Sequence, residues 1–131
     1  MATAQELEVA KYFTAFLTSD AALPPSVQDD FGAALGAIDR RSEPVTWTAS
    51  KFYEREMAAN LLRGFFSFAP LRGPAHLRMV KLESQQIEER FRCQDSSGGR
   101  VNLDPGYLAS FKVVLASTKN ANQRIYLDRG I

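Results

Sequence analysis

The sequence predicts an α+β protein with a ferredoxin-like antiparallel sheet, helices on one face of that sheet, and a C-terminal extension. The first observation is the order of periodic segments, which reads strand, helix, strand, strand, helix, strand. The second is size: 131 residues with 45% hydrophobic content are enough to bury one core. The third is that no internal repeat or long linker divides the chain. We therefore expect a single domain over residues 1–131, with Arg124–Leu127 as a final strand in the extension.

The first half of the chain alternates strand and helix signals. Val9–Thr18 is rich in aromatic residues and runs into a polar loop, which predicts the first strand. The spacing of apolar residues predicts a helix over Pro25–Leu35 that ends at Gly36. Ile38–Trp47 is predicted as a second strand, at an edge or interrupted at Pro44, because proline cannot donate a ladder hydrogen bond.

The middle of the chain carries a charged segment and then a dense aromatic run. Residues 49–59 are compatible with a helix, and Leu61–Phe68 predicts a strand that ends at Pro70. The next apolar residues divide into a predicted strand, His76–Leu82, and a predicted helix beginning at Ser84.

The segment Asp104-Pro105-Gly106 can be interpreted in two ways. In the first, Asp104 caps a helix that begins at Pro105 and presents a stripe at helical spacing. The members of that stripe are Tyr107, Leu108, Phe111, Val114, Leu115 and Thr118. In the second, Pro105 and Gly106 form a type II turn before a strand that buries Phe111, Val113 and Leu115. The Asp-Pro start favours the helix, which we take as the prediction.

Composition limits the classes of partner. The 16 basic and 15 acidic side chains nearly cancel, so no global field predicts a nucleic-acid or membrane partner. One cysteine and one histidine exclude an internal disulfide and a histidine-rich metal site, so we predict no metal, and the cofactor stays unknown. No P-loop sequence occurs. The polar N-terminus and the lack of a long apolar run lead us to expect a soluble cytoplasmic protein.

Five segments resemble the DUF4416 family, bacterial and archaeal proteins of unknown function. They are Phe52–Met57, Arg63–Phe68, Arg100–Leu108, Val114–Lys119 and Arg124–Leu127. The similarity covers nearly the whole chain, and it implies a family without implying an activity.

Two departures from the family pattern affect what we expect. Gln123 stands where members usually carry a histidine. Members also continue past the equivalent of Gly130–Ile131 into another strand, so the C-terminus looks shortened. This implies an unpaired sheet edge, and we expect a homo-oligomer through that exposed C-terminal edge.

Polar residues of these motifs form the candidate ligand site. Carboxylates beside fixed cations suit a phosphate- or carboxylate-bearing ligand, or general acid-base chemistry. The predicted site residues are Tyr53, Glu56, Arg63, Asn102, Asp104, Lys112, Thr118, Lys119 and Arg124. Each also has a structural explanation, such as a cap at Asp104 or a solvated ion pair at Lys119.

Three classes of function remain open on sequence alone. The one we adopt is a domain that binds a small anionic ligand at the motifs. The second is a hydrolase or transferase that uses Asp104 or Glu56, so the sequence does not decide whether the protein is an enzyme. The third is a protein-interaction domain with an exposed apolar edge.

Overall fold

The structure is a computed structural model that describes residues 8–19, 25–47, 61–94, 101–119 and 123–131. The helix predicted over residues 49–59 lies outside these ranges, as do Tyr53 and Glu56 of the predicted site.

Six strands and two helices form the described fold. The strands are β1 (Ala10–Thr18), β2 (Ile38–Arg41), β3 (Val45–Thr46), β4 (Leu62–Arg72), β5 (Val101–Ala109) and β6 (Lys112–Leu115). The helices are α1 (Pro25–Leu35) and α2 (Leu77–Gln94), and a 3-10 turn, Pro74–His76, precedes α2. The sheet order is β2-β4-β1-β5-β6 with β3 also paired to β4, and every pair is antiparallel. The α+β prediction is confirmed, and the order is that of a ferredoxin-like βαββαβ unit with β6 added at one edge.

Strand β1 occupies the centre of the sheet, and its residue range agrees with the strand predicted over Val9–Thr18. It pairs along its length with β4 on one side and β5 on the other. Its alternate residues Tyr12 and Phe16 join the core cluster under the helices. The Tyr12 hydroxyl donates to the Gly73 carbonyl oxygen at 2.8 Å, and burial raises the pKa of Tyr12 to about 12. Leu17, on the other face of β1, is also fully buried.

Helix α1 has the predicted bounds and packs one apolar stripe on the sheet. Its buried residues are Val27, Phe31 and Leu35. The rings of Phe31 and Phe66 meet edge to face at a centroid distance of 5.5 Å. Gly36 ends the helix with φ +94°, a left-handed conformation that favours glycine. A Cβ at Gly36 would also lie 2.5 Å from Pro70 Cγ, so a side chain there is excluded on two grounds.

Helix α2 is continuous, so the predicted strand His76–Leu82 is wrong. Five of its described residues are buried at helical spacing: Leu77, Val80, Lys81, Ser84 and Ile87. The Ser84 hydroxyl donates to the Lys81 carbonyl oxygen at 2.7 Å, a bond within the helix rather than the cap of a new one. Among the described residues, no helix combines the length and apolar character that crossing a bilayer requires.

The strands beside α1 agree with their predictions, except that β4 is longer than predicted. The predicted interruption at Pro44 is confirmed, because β2 and β3 are separate strands that pair with different parts of β4. Strand β4 continues past its predicted end at Pro70 to Arg72, because Leu71 and Arg72 still pair with β1.

The helix predicted from Asp104 is wrong, and so is the alternative turn, because Asp104-Pro105-Gly106 lies inside β5. The Leu103 amide and the Pro105 carbonyl oxygen both form their hydrogen bonds on the side of β5 that faces away from β1. The Pro105 nitrogen therefore also points away from β1, where its missing hydrogen costs no ladder bond. Gly106 is required by close approach, since a Cβ would overlap the Val114 carbonyl oxygen and lie 3.1 Å from Phe13 Cζ.

The residues after β5 also differ from the expected burial. Phe111 lies in the hairpin turn and is 99% exposed, and Val113 and Leu115 of β6 are exposed as well. They cannot form the buried faces that either interpretation assigned to them. Val114, which pairs with Tyr107, is the half-buried residue that packs against the core.

The segment Arg124–Leu127 does not form the predicted strand. The Leu127 amide instead donates to the Ile131 carbonyl oxygen at 2.8 Å, which closes a local turn. Ile131 inserts into the core and is 7% exposed, and Arg78 of α2 lies 3.8 Å from Asp128. The segment is thus held by one apolar anchor and an ion pair. Strand β6 forms the outer edge of the described sheet, and association of copies through it stays a prediction.

Replacing Gly106 by alanine tests the close packing inside β5. We expect Gly106→Ala to lower the free energy of unfolding by about 1–3 kcal/mol, because the new methyl group overlaps a backbone carbonyl oxygen that cannot rotate away. Urea unfolding measures the change. Gly32→Ala is the control: it meets nothing within 4 Å in α1, so it should stabilise by about 0.5–1 kcal/mol. Equal stability of Gly106→Ala and the wild type would contradict the packing described.

Candidate functional site

The face of the sheet opposite the helices, called here the open face, carries exposed aromatic and apolar side chains. Phe13 of β1 lies opposite Ser67 of β4 and Gly106 of β5, so it points to this face between the two neighbouring strands. Phe65 of β4 and Leu108 of β5 share the same face and are 45% and 46% exposed. Two central strands therefore present phenylalanine rings away from the core.

These side chains line a groove of about 420 Å³, called here the open-face groove. Its lining includes Phe13, Phe65, Ser67, Leu108, Arg40 and Arg41. The floor is mostly apolar, and the polar groups come from β2, from the residue that follows it and from Ser67 of β4. Such a mixture of apolar surface with a few polar groups is typical of ligand sites.

Two consecutive arginines, Arg40 and Arg41, border the open-face groove on the β2 side, and Arg40, opposite Ser67, is the one whose side chain lies on the open face. Both are exposed, and Arg41 Nε donates to Gln28 Oε1 of α1 at 2.8 Å. No hydrogen bond or ion pair of Arg40 occurs within the described ranges. The next residue, Ser42, is fixed to β4, because its amide donates to the Phe65 carbonyl oxygen and its hydroxyl oxygen accepts from the Phe65 amide. The arginine side chains thus extend from an anchored edge.

Beside the groove, Asp39 is occupied by a cation and a hydroxyl group. Lys11 Nζ donates to its Oδ2, and the Ser67 hydroxyl donates to its Oδ1 at 2.6 Å. The bonds from Lys11 and then Ser67 hold the pKa of Asp39 below its ordinary value, so this carboxylate stays charged at neutral pH. The charges of Lys11 and Asp39 cancel, which leaves Arg40 as the exposed cation on this part of the open face.

A second polar cluster closes the free edge of β5 and includes two of the predicted site residues. None of the described strands pairs with Leu103 on its outer side; its amide donates to Glu88 Oε1 at 2.7 Å, and its carbonyl oxygen accepts from Lys81 Nζ at 3.2 Å. Lys81 Nζ also lies 3.7 Å from Asp104 Oδ1, and Asn102 Nδ2 donates to Asp104 Oδ2 at 2.9 Å. Two side chains of α2 therefore take the place of a neighbouring strand.

The charge of Glu88 is unfavourable in this position. Burial raises the pKa of Glu88, and the nearby Asp104 carboxylate raises it further. The Leu103 amide and Lys81 act in the opposite direction but do not reverse the shift. Lys81 is 6% exposed, so its charge is also held in a poorly solvated place.

The predicted site residues do not all meet. Asn102 and Asp104 lie together as described, and Arg124 Nη1 donates to Ser117 Oγ at 2.7 Å and to the Lys119 carbonyl oxygen at 2.8 Å. Lys112 is opposite Ala109, five residues along β5 from Asp104, or about 17 Å. Thr118 is an exposed residue of the loop after β6.

Arg63 lies on the open face, as Asn102 and Asp104 do, but on the other side of β1. Its guanidinium carbon is 4.3 Å from the centroid of the Trp47 ring. Since β1 separates β4 from β5, Arg63 is about 10 Å from Asn102, directly across the sheet, and about 12 Å from Asp104. Within the ranges that the structure describes, no three His, Cys, Asp or Glu side chains come together to hold a metal ion.

Comparison with known families decides the assignment of the chain. The model of DUF4416, described as a domain of unknown function, matches residues 8–131. The chain belongs to the DUF4416 family. The family inferred from the motifs is therefore correct, and the DUF4416 match includes both the open-face groove and the cluster at the β5 edge. No curated protein and no solved structure matches the chain. The family description names no activity, so function has to be argued from the site.

Sequence reasoning missed the residues that line the open-face groove and those that close β5. An aromatic strand does not reveal which of its faces the helices cover, so the sequence does not show that Phe13 and Phe65 lie outside the core. Successive residues of a strand point to opposite faces. The odd numbers of Phe13 and Phe65, compared with the even numbers of Tyr12 and Phe66, are therefore the sequence signal that distinguishes the two faces. Glu88 carried no comparable signal, because its bond depends on where α2 crosses the sheet edge.

Two substitutions at Glu88 test its role at the β5 edge. The raised pKa means that the protonated form favours folding: its contribution is complete below the ordinary value of 4.5 and is lost as pH rises through the folded pKa. We therefore expect Glu88→Gln, a neutral acceptor, to be at least as stable as the wild type at pH 7, with the difference shrinking at pH 4. Glu88→Ala should cost about 1–3 kcal/mol, because the buried Leu103 amide loses its partner.

Urea unfolding of the three proteins at both pH values makes this measurement. If Glu88→Gln is as unstable as Glu88→Ala at pH 7, the charge of Glu88 stabilises the fold and the assignment is wrong.

Proposed function

We propose that this DUF4416 protein is a binding domain for a small anionic ligand, and that the ligand occupies the open-face groove. Its phosphate or carboxylate group would meet Arg40, and a flat apolar group would lie against Phe65 and Phe13. The ligand class is the one expected from the sequence, but the site moves from the C-terminal motifs to the sheet. The observation that carries the proposal is an exposed arginine beside the exposed Phe65 ring and the half-buried Phe13 ring in one groove.

The apolar half of the proposal rests on Phe65 and Leu108. Each exposes nearly half of its surface on the same face of the sheet, with the half-buried Phe13 between them. A flat ligand group placed there would remove apolar surface from water on both partners, which is favourable. Phenylalanine faces also accept other flat rings in offset stacking.

The charged half of the proposal rests on the local balance of charge. Lys11 and Asp39 neutralise each other, and Asp39 keeps its charge because of its lowered pKa. Arg40 has no such partner in the described part of the chain. A guanidinium group presents several donors in one plane, which suits a phosphate or carboxylate.

Binding is better supported than hydrolysis or group transfer. A catalytic carboxylate would have to lie within hydrogen-bond reach of the bound ligand. Asp104 is separated from Phe65 by β1, about 10 Å across the sheet, and it is engaged with Asn102 and Lys81. The groove thus offers a cation and flat surfaces, while the motif carboxylate serves the β5 edge.

A thermal-shift titration tests the proposal. Adenosine and uridine monophosphates and substituted benzoates are compared with adenosine and with inorganic phosphate, so that ring and anion contribute separately. A ligand at a hundred times its dissociation constant stabilises by about 2.7 kcal/mol, or about 10 °C for a chain of this size. We expect Arg40→Gln to remove most of the shift, whereas the control Arg129→Gln, at an exposed residue of the C-terminal turn, retains it.

Two results would overturn the proposal. One is the absence of a shift with every anion. The other is a shift that survives Arg40→Gln but is lost in Lys119→Ala, because that result would assign the ligand to the C-terminal motifs.

A further inference from the structure

The exposed Phe65 and the half-buried Phe13 form a pair of separate platforms in the open-face groove. Phe13 lies directly opposite Ser67, and Phe65 is two residues further along β4. This makes Phe13 and Phe65 diagonal neighbours on one face, about 7–8 Å apart. Such a spacing offers two flat surfaces side by side rather than one clamp around a single ring.

A cation lies on one side of these platforms. Arg40 lines the groove from β2, opposite Ser67 of β4, whereas Arg41 lies opposite the core residue Phe66 and donates to Gln28 of α1. On the other side of Phe13, the lining residue is the apolar Leu108. A ligand that matches this arrangement carries more than one flat group, with an anionic group on one side.

We infer that the ligand of the open-face groove is a single-stranded nucleic acid, with successive bases stacked on Phe13 and Phe65 and the phosphate between them facing Arg40. The inference rests on the proposed function, whose ligand class it makes specific. A single strand supplies flat groups in series with one negative charge per step. Every base has a stacking face, so this contact tolerates different sequences.

The architecture is suited to this kind of recognition. Exposed aromatic side chains on the central strands of a four-stranded antiparallel sheet stack two or three bases in RNA-recognition motifs. The present chain reaches a comparable surface with Phe13 and Phe65 on the two central strands, β1 and β4. A net charge of +1 means that attraction is local to Arg40 and weak at a distance. Double-stranded nucleic acid, whose bases are already stacked on one another, does not fit the platforms.

The test is fluorescence anisotropy with the full chain and labelled single strands. Mixed-sequence RNAs of two, four and eight nucleotides, the matching DNA strands, a DNA duplex and uridine monophosphate are compared. We expect the octamer to bind at least ten times more tightly than the mononucleotide, and the RNA and DNA arms identify the preferred sugar. One phosphate contact corresponds to a slope of about −0.7 in log affinity against log salt.

Matched variants separate stacking from charge. Phe65→Ala should weaken binding of the octamer by about 5- to 150-fold. The control Phe111→Ala removes an equally large ring from the hairpin turn, where it is 99% exposed, and should change affinity less than twofold. Arg40→Ala should reduce the salt slope by about 0.7, with Arg129→Ala as its control.

Each contrary outcome has its own meaning. If uridine monophosphate binds as tightly as the octamer, the strand inference is overturned and the proposed function stands. If no nucleotide or oligonucleotide binds but a benzoate does, the strand inference is likewise overturned and the proposed function stands. The inference is also overturned if Phe65→Ala leaves the affinity for the octamer unchanged, or if the duplex binds with the same affinity as the single strand. If no anion of any kind binds, both proposals fail.

Discussion

The double pairing of β1 is the constraint on which the rest of the structure depends. Hydrogen bonds to β4 and β5 fix two registers at once, and a slip of one residue would exchange the faces of Tyr12 and Phe13. Tyr12 makes such a slip costly, because its ring is fully buried and its hydroxyl bonds to Gly73 before α2. The same registers bring Phe13 and Phe65 to the open face. The core and the proposed binding surface are therefore two consequences of one pairing.

The β5 edge shows how the fold completes a sheet without another strand. Strand β6 covers β5 only from Pro105 onward, and Leu103 bonds to Lys81 and Glu88 of α2 instead. The absence of a proline N–H is harmless at Pro105, since its nitrogen faces away from β1. These contacts give Asp104 a local role beside Lys81. The polar residues of this motif therefore have a structural explanation, although Lys112 does not lie near Asp104.

Elements whose signals are local could be predicted, and those decided by distant contacts could not. The aromatic content of β1 and the apolar spacing of α1 with its glycine stop identified both elements with nearly correct bounds. Asp104-Pro105-Gly106 carries strong turn and helix-start signals, but its structure is decided by the edge of β5 and by the close approach of Phe13 and Val114 to Gly106. The groove was missed because the two faces of an aromatic strand look alike until the helices are placed.

An amide nuclear magnetic resonance titration tests the central claim most directly, because it locates a ligand without assuming its affinity. Uniformly ¹⁵N-labelled protein would be titrated with uridine monophosphate and with a four-nucleotide RNA. The account requires the largest shift changes at the amides of Phe13, Phe65, Arg40 and Leu108, on the open face around the groove. Changes confined to residues 117–124, with the open-face amides unmoved, would contradict it.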